Sequence, residues 1–100
     1  MPEHPLAAMN RIDPEFMGNV RKMDEAIFAD GALARKHKLL IAMAFDAAHG
    51  ADMGVRALAQ AAVKAGATQQ EVAEALRVAY HLSGVGSLYT ASQGLKELFP

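Results

Sequence analysis

Phe16, Val20, Met23, Ile27 and Phe28 recur at helical spacing, a pattern that predicts a first helix ending near Ala29. Ahead of it, Asp13-Pro14-Glu15 supplies an N-cap acceptor, a proline suited to the first turn and an acid favoured by the helix dipole. Asp30-Gly31 stops it. A second helix is expected from Leu33 or Ala34 to Ala48, with Gly50 as its C-terminal stop. Its body, Leu39-Leu40-Ile41-Ala42-Met43-Ala44-Phe45, is apolar all round, as in a helix buried on every side. In so short a chain this means a central helix, an oligomer interface, or both.

Asp52 is expected to cap a third helix ending at Ala65, with Gly66 where a left-handed stop is wanted. Thr68-Gln69-Gln70-Glu71 forms a capping box. It opens a fourth helix with a core stripe of Val72, Ala75, Leu76, Ala79 and Leu82. Gly84 and Gly86 interrupt, and a last helix from about Ser87 to Leu98 carries Leu88, Ala91, Leu95 and Leu98 on one face. Residues 1–12 read as a flexible arm and residues 13–100 as a single all-α domain. No repeat or low-complexity tract appears.

Composition changes this picture in one respect. A chain of 100 residues, folded alone, buries only about two-thirds of its unfolded surface. Yet 52% of it is hydrophobic and 21% charged, so a lone globule would leave apolar surface wet. That mismatch favours an oligomer. The six Met and the 6% aromatic content suit close helix packing, and the scarcity of Val, Ile and Thr counts against strands.

A formal net charge of −1 offers no footprint for nucleic acid or an anionic membrane. The longest apolar run, Leu39 to Ala48, contains Asp46 and is about half the ~20 residues of a membrane span. Met1 to Leu6 has no basic region followed by an apolar stretch, so no signal peptide is expected and a cytoplasmic protein is the default. The absence of Cys excludes a disulfide framework, a thiolate metal site and a thiol nucleophile.

Two stretches carry a family resemblance. Lys36-His37-Lys38-Leu39-Leu40-Ile41-Ala42-Met43-Ala44 resembles the long buried helix of the carboxymuconolactone decarboxylase and alkyl hydroperoxidase D-like family. The stretch Ala62-Val63-Lys64-Ala65-Gly66-Ala67-Thr68-Gln69-Gln70-Glu71-Val72-Ala73-Glu74-Ala75-Leu76 is similar to its segment AALxAGATxEEIAEAL. Gly84-Val85-Gly86 falls where the family has a glycine-rich break. The match runs from about residue 33 to 92 without gaps. It implies an alkyl hydroperoxidase D-like fold of five or six helices. It also implies a ring of subunits, a hexamer before a trimer, with Ile41, Phe45 and the segment near Gly84 in the contacts.

The redox members of that family carry a glutamate in the buried helix, a Cys-x-x-Cys pair, and a histidine beyond it. Those positions correspond here to Leu39, Ala51, Gly54 and Leu58. Peroxide reduction by this route needs a thiolate and a second thiol to resolve its sulfenic acid. None of these parts is present, and family-type peroxidase activity is excluded on chemical grounds. The lactone decarboxylases use no cysteine, but their histidine positions correspond to Leu58 and Val78, which are also apolar.

The remaining polar residues admit two readings each. Asp46 precedes His49 by three residues on one helix face. The pair is either a carboxylate orienting a general base or the exposed end of a helix, with His49 favoured by the dipole. Glu74, Arg77 and His81 lie opposite the core stripe of the fourth helix. They form a solvated face, or else His81 and Tyr80 face a neighbouring subunit's pocket. Arg56 can hold a carboxylate through its planar fork or be a surface residue. His37, His49 and His81 have no histidine partner at i,i+4, so neither a metal nor another cofactor is expected.

Two functions from different classes follow. One is a non-catalytic oligomeric protein whose degenerate pocket at Leu39, Ala51, Gly54 and Leu58 takes a small apolar ligand or a partner, or simply assembles. The other is a non-redox enzyme for a small carboxylated or lactone substrate, with His49 or His81 moving the proton and Arg56 holding the acid. The sequence leans to the first, because four functional positions lost polarity and no replacement set appeared.

Overall fold

The computed structural model describes residues 3–100, and the described residues form six helices and no strand. These are α1 (Ala7–Ile12), α2 (Pro14–Phe28), α3 (Arg35–Ala48), α4 (Asp52–Lys64), α5 (Gln69–Ser83) and α6 (Gly86–Leu95). No helix is long and apolar enough to cross a membrane.

The segment expected as a flexible arm contains α1; residues 1 and 2 of that segment lie outside the described residues. The guanidinium of Arg11 donates from both Nη atoms to the two carboxylate oxygens of Glu3, at 3.1 and 3.2 Å. No α1 residue is buried, so hydrophobic periodicity had nothing to mark. At the start of α2, Asp13 accepts from the Phe16 N–H at 3.4 Å, with Pro14 in the first turn.

Helix α3 packs against α4, α5 and α6 and is the central helix of the body. Leu39, Leu40, Met43 and Ala47 bury one side of it. They meet Val55, Ala59 and Ala62 of α4, Val72, Leu76 and Ala79 of α5, and Ala91 of α6. Alanines at these contacts let helix axes approach closely. Helices α4 and α6 approach closely, and a Cβ added at Gly94 would stand 2.6 Å from the Asp52 carbonyl oxygen.

Two turns repeat one motif. Gly50 (φ 80°) and Gly66 (φ 104°) occupy the left-handed position after α3 and α4. At each, the next residue's N–H reaches back to the carbonyl five residues earlier: Ala51 to Asp46 at 2.9 Å and Ala67 to Ala62 at 2.9 Å. These are Schellman closures, which satisfy orphan carbonyls and need glycine for its free φ. The capping box also forms, with Thr68 Oγ1 accepting from the Glu71 N–H at 3.0 Å and Glu71 accepting from the Thr68 N–H at 2.9 Å.

Two expectations are corrected. Asp52 does not cap α4; Ala51 holds the cap position with no side-chain bond, and Asp52 lies in the first turn as an acid at the dipole's positive end. Leu82 does not belong to the core stripe of α5 and is 77% exposed. Helix α3 is central to the body, and within the single chain it leaves Ile41 and Phe45 48% and 61% exposed.

Candidate functional site

The more apolar of two concavities lies between α3 and α5. Leu40, Ile41, Ala44, Phe45 and Ala48 line it from α3, facing Ala75, Val78, Ala79 and Leu82 from α5, and it encloses about 340 Å3. Ser83 is its one polar residue. Helical spacing explains the arrangement. On α5, Val72, Leu76 and Ala79 turn into the core, while Ala75, Val78 and Leu82 form a second line one step round the helix. A second groove of about 440 Å3 runs between α5 and the end of the chain, bounded by Val72, Leu76, Leu95 and Phe99, with Gln69, Ser92 and Lys96 at its polar points.

None of the four family redox positions lines either groove. Leu39 is buried in the core, Leu58 packs half-buried against it, and Ala51 is exposed at the cap of α4. Gly54 is covered by the carboxylate of Asp46, which occupies the space a Cβ would need; the Asp46 Cγ lies 2.7 Å from that point. The glycine makes room for the carboxylate. Removed from water on that side, Asp46 has its carboxyl pushed above the ordinary value of 3.8, with the positive charge of His49 pulling the other way.

His49 is close enough to be felt electrostatically, but no hydrogen bond or ion pair joins it to Asp46 among the described residues. Its exposed ring stacks instead on Phe45, with centroids 6.3 Å apart and planes inclined by 24°. Arg56 pairs with Glu97 through Nη2 at 2.7 Å, both groups well exposed. His81 and Tyr80 are exposed near the end of α5. Within one chain, His49 and Asp46 are therefore brought within electrostatic reach of each other, and Arg56 is turned toward the residues after α6. Among the described residues, no three His, Asp or Glu side chains gather as a metal site.

A sequence model of the carboxymuconolactone decarboxylase family matches residues 14–97. The chain belongs to the carboxymuconolactone decarboxylase family. Its fold is similar to the crystal structure of apo-lpg0406, a carboxymuconolactone decarboxylase family protein from Legionella pneumophila. The TM-score is 0.82 and the identity 35%, covering 91% of this chain and 81% of that one. No curated protein matches it significantly. Among members of the carboxymuconolactone decarboxylase family this chain is cysteine-free, so the family's thiol chemistry is absent from it.

Sequence reasoning missed two elements of this region. The α5 wall of the groove was folded into a single core stripe, although an apolar set as wide as Val72 to Leu82 can hold two adjacent lines. The salt bridge of Lys36 to Glu71, at 3.1 Å across 35 residues, had no local signal beyond the capping box that already employs Glu71.

Proposed function

We propose that this chain is a non-catalytic member of the carboxymuconolactone decarboxylase family that works as a homo-oligomer, a hexamer before a trimer. One observation carries the reading: the α3/α5 concavity is an open apolar groove with no titratable lining residue. Acid–base chemistry needs a group that exchanges a proton within reach of the substrate, and this groove offers none. The polar candidates support the same reading, since Arg56 is neutralised by Glu97 and His49 is stacked on Phe45. Ile41 and Phe45 form the contact surface, as the resemblance implies. Sedimentation velocity at micromolar concentration tests this, with hydroperoxide turnover by added dithiol as a second assay. A multiple of the 10.6 kDa chain and no turnover are expected; a stable monomer ends the proposal.

One observation favours the alternative of a non-redox enzyme for a small carboxylated or lactone substrate. Asp46 is desolvated beside His49, and perturbed carboxyls gather at functional sites. In that reading Asp46 and His49 exchange the proton, and His49→Asn abolishes turnover of a carboxylated lactone while leaving the oligomer intact.

A further inference from the structure

Helix α2 presents two apolar faces, and its own chain uses only one. Met17 is buried and Phe28 packs against the core. Phe16, Val20, Met23 and Ile27 form a separate stripe about a quarter-turn round the helix. Phe16, Met23 and Ile27 each keep more than half of their surface in solvent. Toward its C-terminal end, α2 is held to α3 by polar bonds rather than by this stripe. Lys38 Nζ donates to the carbonyls of Ile27 and Ala29 at 2.9 and 2.7 Å, and Arg35 Nη1 to that of Phe28 at 3.3 Å. The same chain thus carries an apolar helix face without a groove and an apolar groove without a helix.

Resting on the oligomeric reading above, we propose that α2 of a second copy lies in the α3/α5 groove, in a reciprocal twofold exchange. Length agrees. The stripe from Phe16 to Ile27 spans roughly 16 Å of helix, and the groove walls from Leu40 to Ala48 and from Ala75 to Leu82 span roughly 10 to 12 Å. Chemistry agrees, since the stripe has no polar member and the groove has only Ser83. Area decides between arrangements. With ~200 Å2 for a fully exposed large side chain, the stripe offers ~300 Å2 and the exposed parts of Ile41, Phe45, Val78 and Leu82 offer ~500 Å2. Either surface alone is too small for a stable interface. A twofold pair buries both on each copy, ~800 Å2 per partner, which is the standard size. The exchange makes the pair the unit of assembly, so larger states contain an even number of chains.

The natural absence of Cys makes the test clean. Met23→Cys and Val78→Cys chains, each with a different tag, are mixed, allowed to exchange subunits and oxidised. A disulfide-linked pair containing both tags is expected, together with a dimer or hexamer by sedimentation. Met23→Glu should weaken assembly at least ~30-fold, the effect of losing an interface anchor. Its helical circular dichroism should stay unchanged, because that side chain is largely exposed within its own chain. An assembled native protein without the mixed disulfide overturns the exchange and leaves the oligomeric reading standing. A trimer does the same. A monomeric native protein overturns both, and in a chain carrying Met23→Cys and Val78→Cys together, a disulfide formed only within that chain overturns the exchange by showing that α2 folds onto its own groove.

Discussion

Gly94 is where the fold should tolerate a methyl group least. An added Cβ would stand 2.6 Å from the Asp52 carbonyl oxygen and 2.9 Å from both Cβ and Cγ1 of Val55. The first obstacle is backbone, and Val55 is fully buried, so neither can rotate aside. Helices α4 and α6 must therefore separate by a substantial fraction of an ångström. Overpacking costs ~1 to 3 kcal/mol, and with a backbone oxygen and the buried Val55 in the way this case lies at ~2 to 3 kcal/mol. Against it stands the helix propensity of Ala over Gly, ~1 kcal/mol in a helix interior. The net expectation for Gly94→Ala is a loss of ~1 to 2 kcal/mol.

Gly18, inside α2, provides the opposite case. The nearest atom to its added Cβ is Arg21 Nη2 at 3.8 Å, an ordinary contact. Gly18→Ala should therefore keep the propensity gain and stabilise by ~0.5 to 1 kcal/mol. Urea unfolding followed by circular dichroism at 222 nm measures both, at one protein concentration because association shifts the midpoint. In thermal terms, Gly94→Ala lowers Tm by roughly 5 to 15 °C for a chain of this length. A Gly94→Ala protein as stable as the native one would refute the close approach of α4 and α6.

Three further substitutions probe the Asp46 carboxyl and the capping box of α5. Asp46→Asn should stabilise the protein at pH 7. The raised carboxyl favours the protonated folded state, so the native penalty is absent below about pH 3.8 and grows as pH rises through the folded-state value. Solvent screening keeps the gain to ~0.5 kcal/mol, and it should vanish in unfolding curves at low pH. Thr68→Ala removes the cap on α5 and should cost ~1 kcal/mol by the same urea assay. Glu71 is held below its ordinary 4.5 by the Thr68 N–H and then by Lys36, so Glu71→Gln should be destabilising above that pH. Its effect should fade as acid carries the native protein through the lowered value.

The helices and their stops were legible because each rests on a local rule. Asp13-Pro14, Gly50, Gly66 and the Thr68–Glu71 box act within one turn of chain, and all four appear where spacing put them. The α4 start was misassigned because the Schellman closure at Gly50 places Ala51, not Asp52, at the cap, and one acid in the right neighbourhood looks like a cap from sequence alone. The α1 segment was missed because a helix with no buried face leaves no periodic trace. At the candidate site, the spacing of Asp46 and His49 put them on one face, but it could not show that Phe45 holds the imidazole and Gly54 shelters the carboxylate.

Leu82, Ile41 and Phe45 mark a different boundary of what periodicity can say. It placed them on apolar helix faces, yet all three are exposed in the isolated chain. Hydrophobic spacing records which face of a helix is to be covered and carries no information about whether the cover comes from the same molecule. The excess of apolar residues over what a chain of this length can bury was the separate signal. Joined, they locate much of the excess on α2 and along the α3/α5 groove, with more at Ile12, Met53, Val85 and Tyr89, while leucines, Met43 and alanines fill the interior of the body. A substitution in that excess should accordingly change association before it changes folding, whereas one at Val55, Ala59 or Gly94 should change folding first.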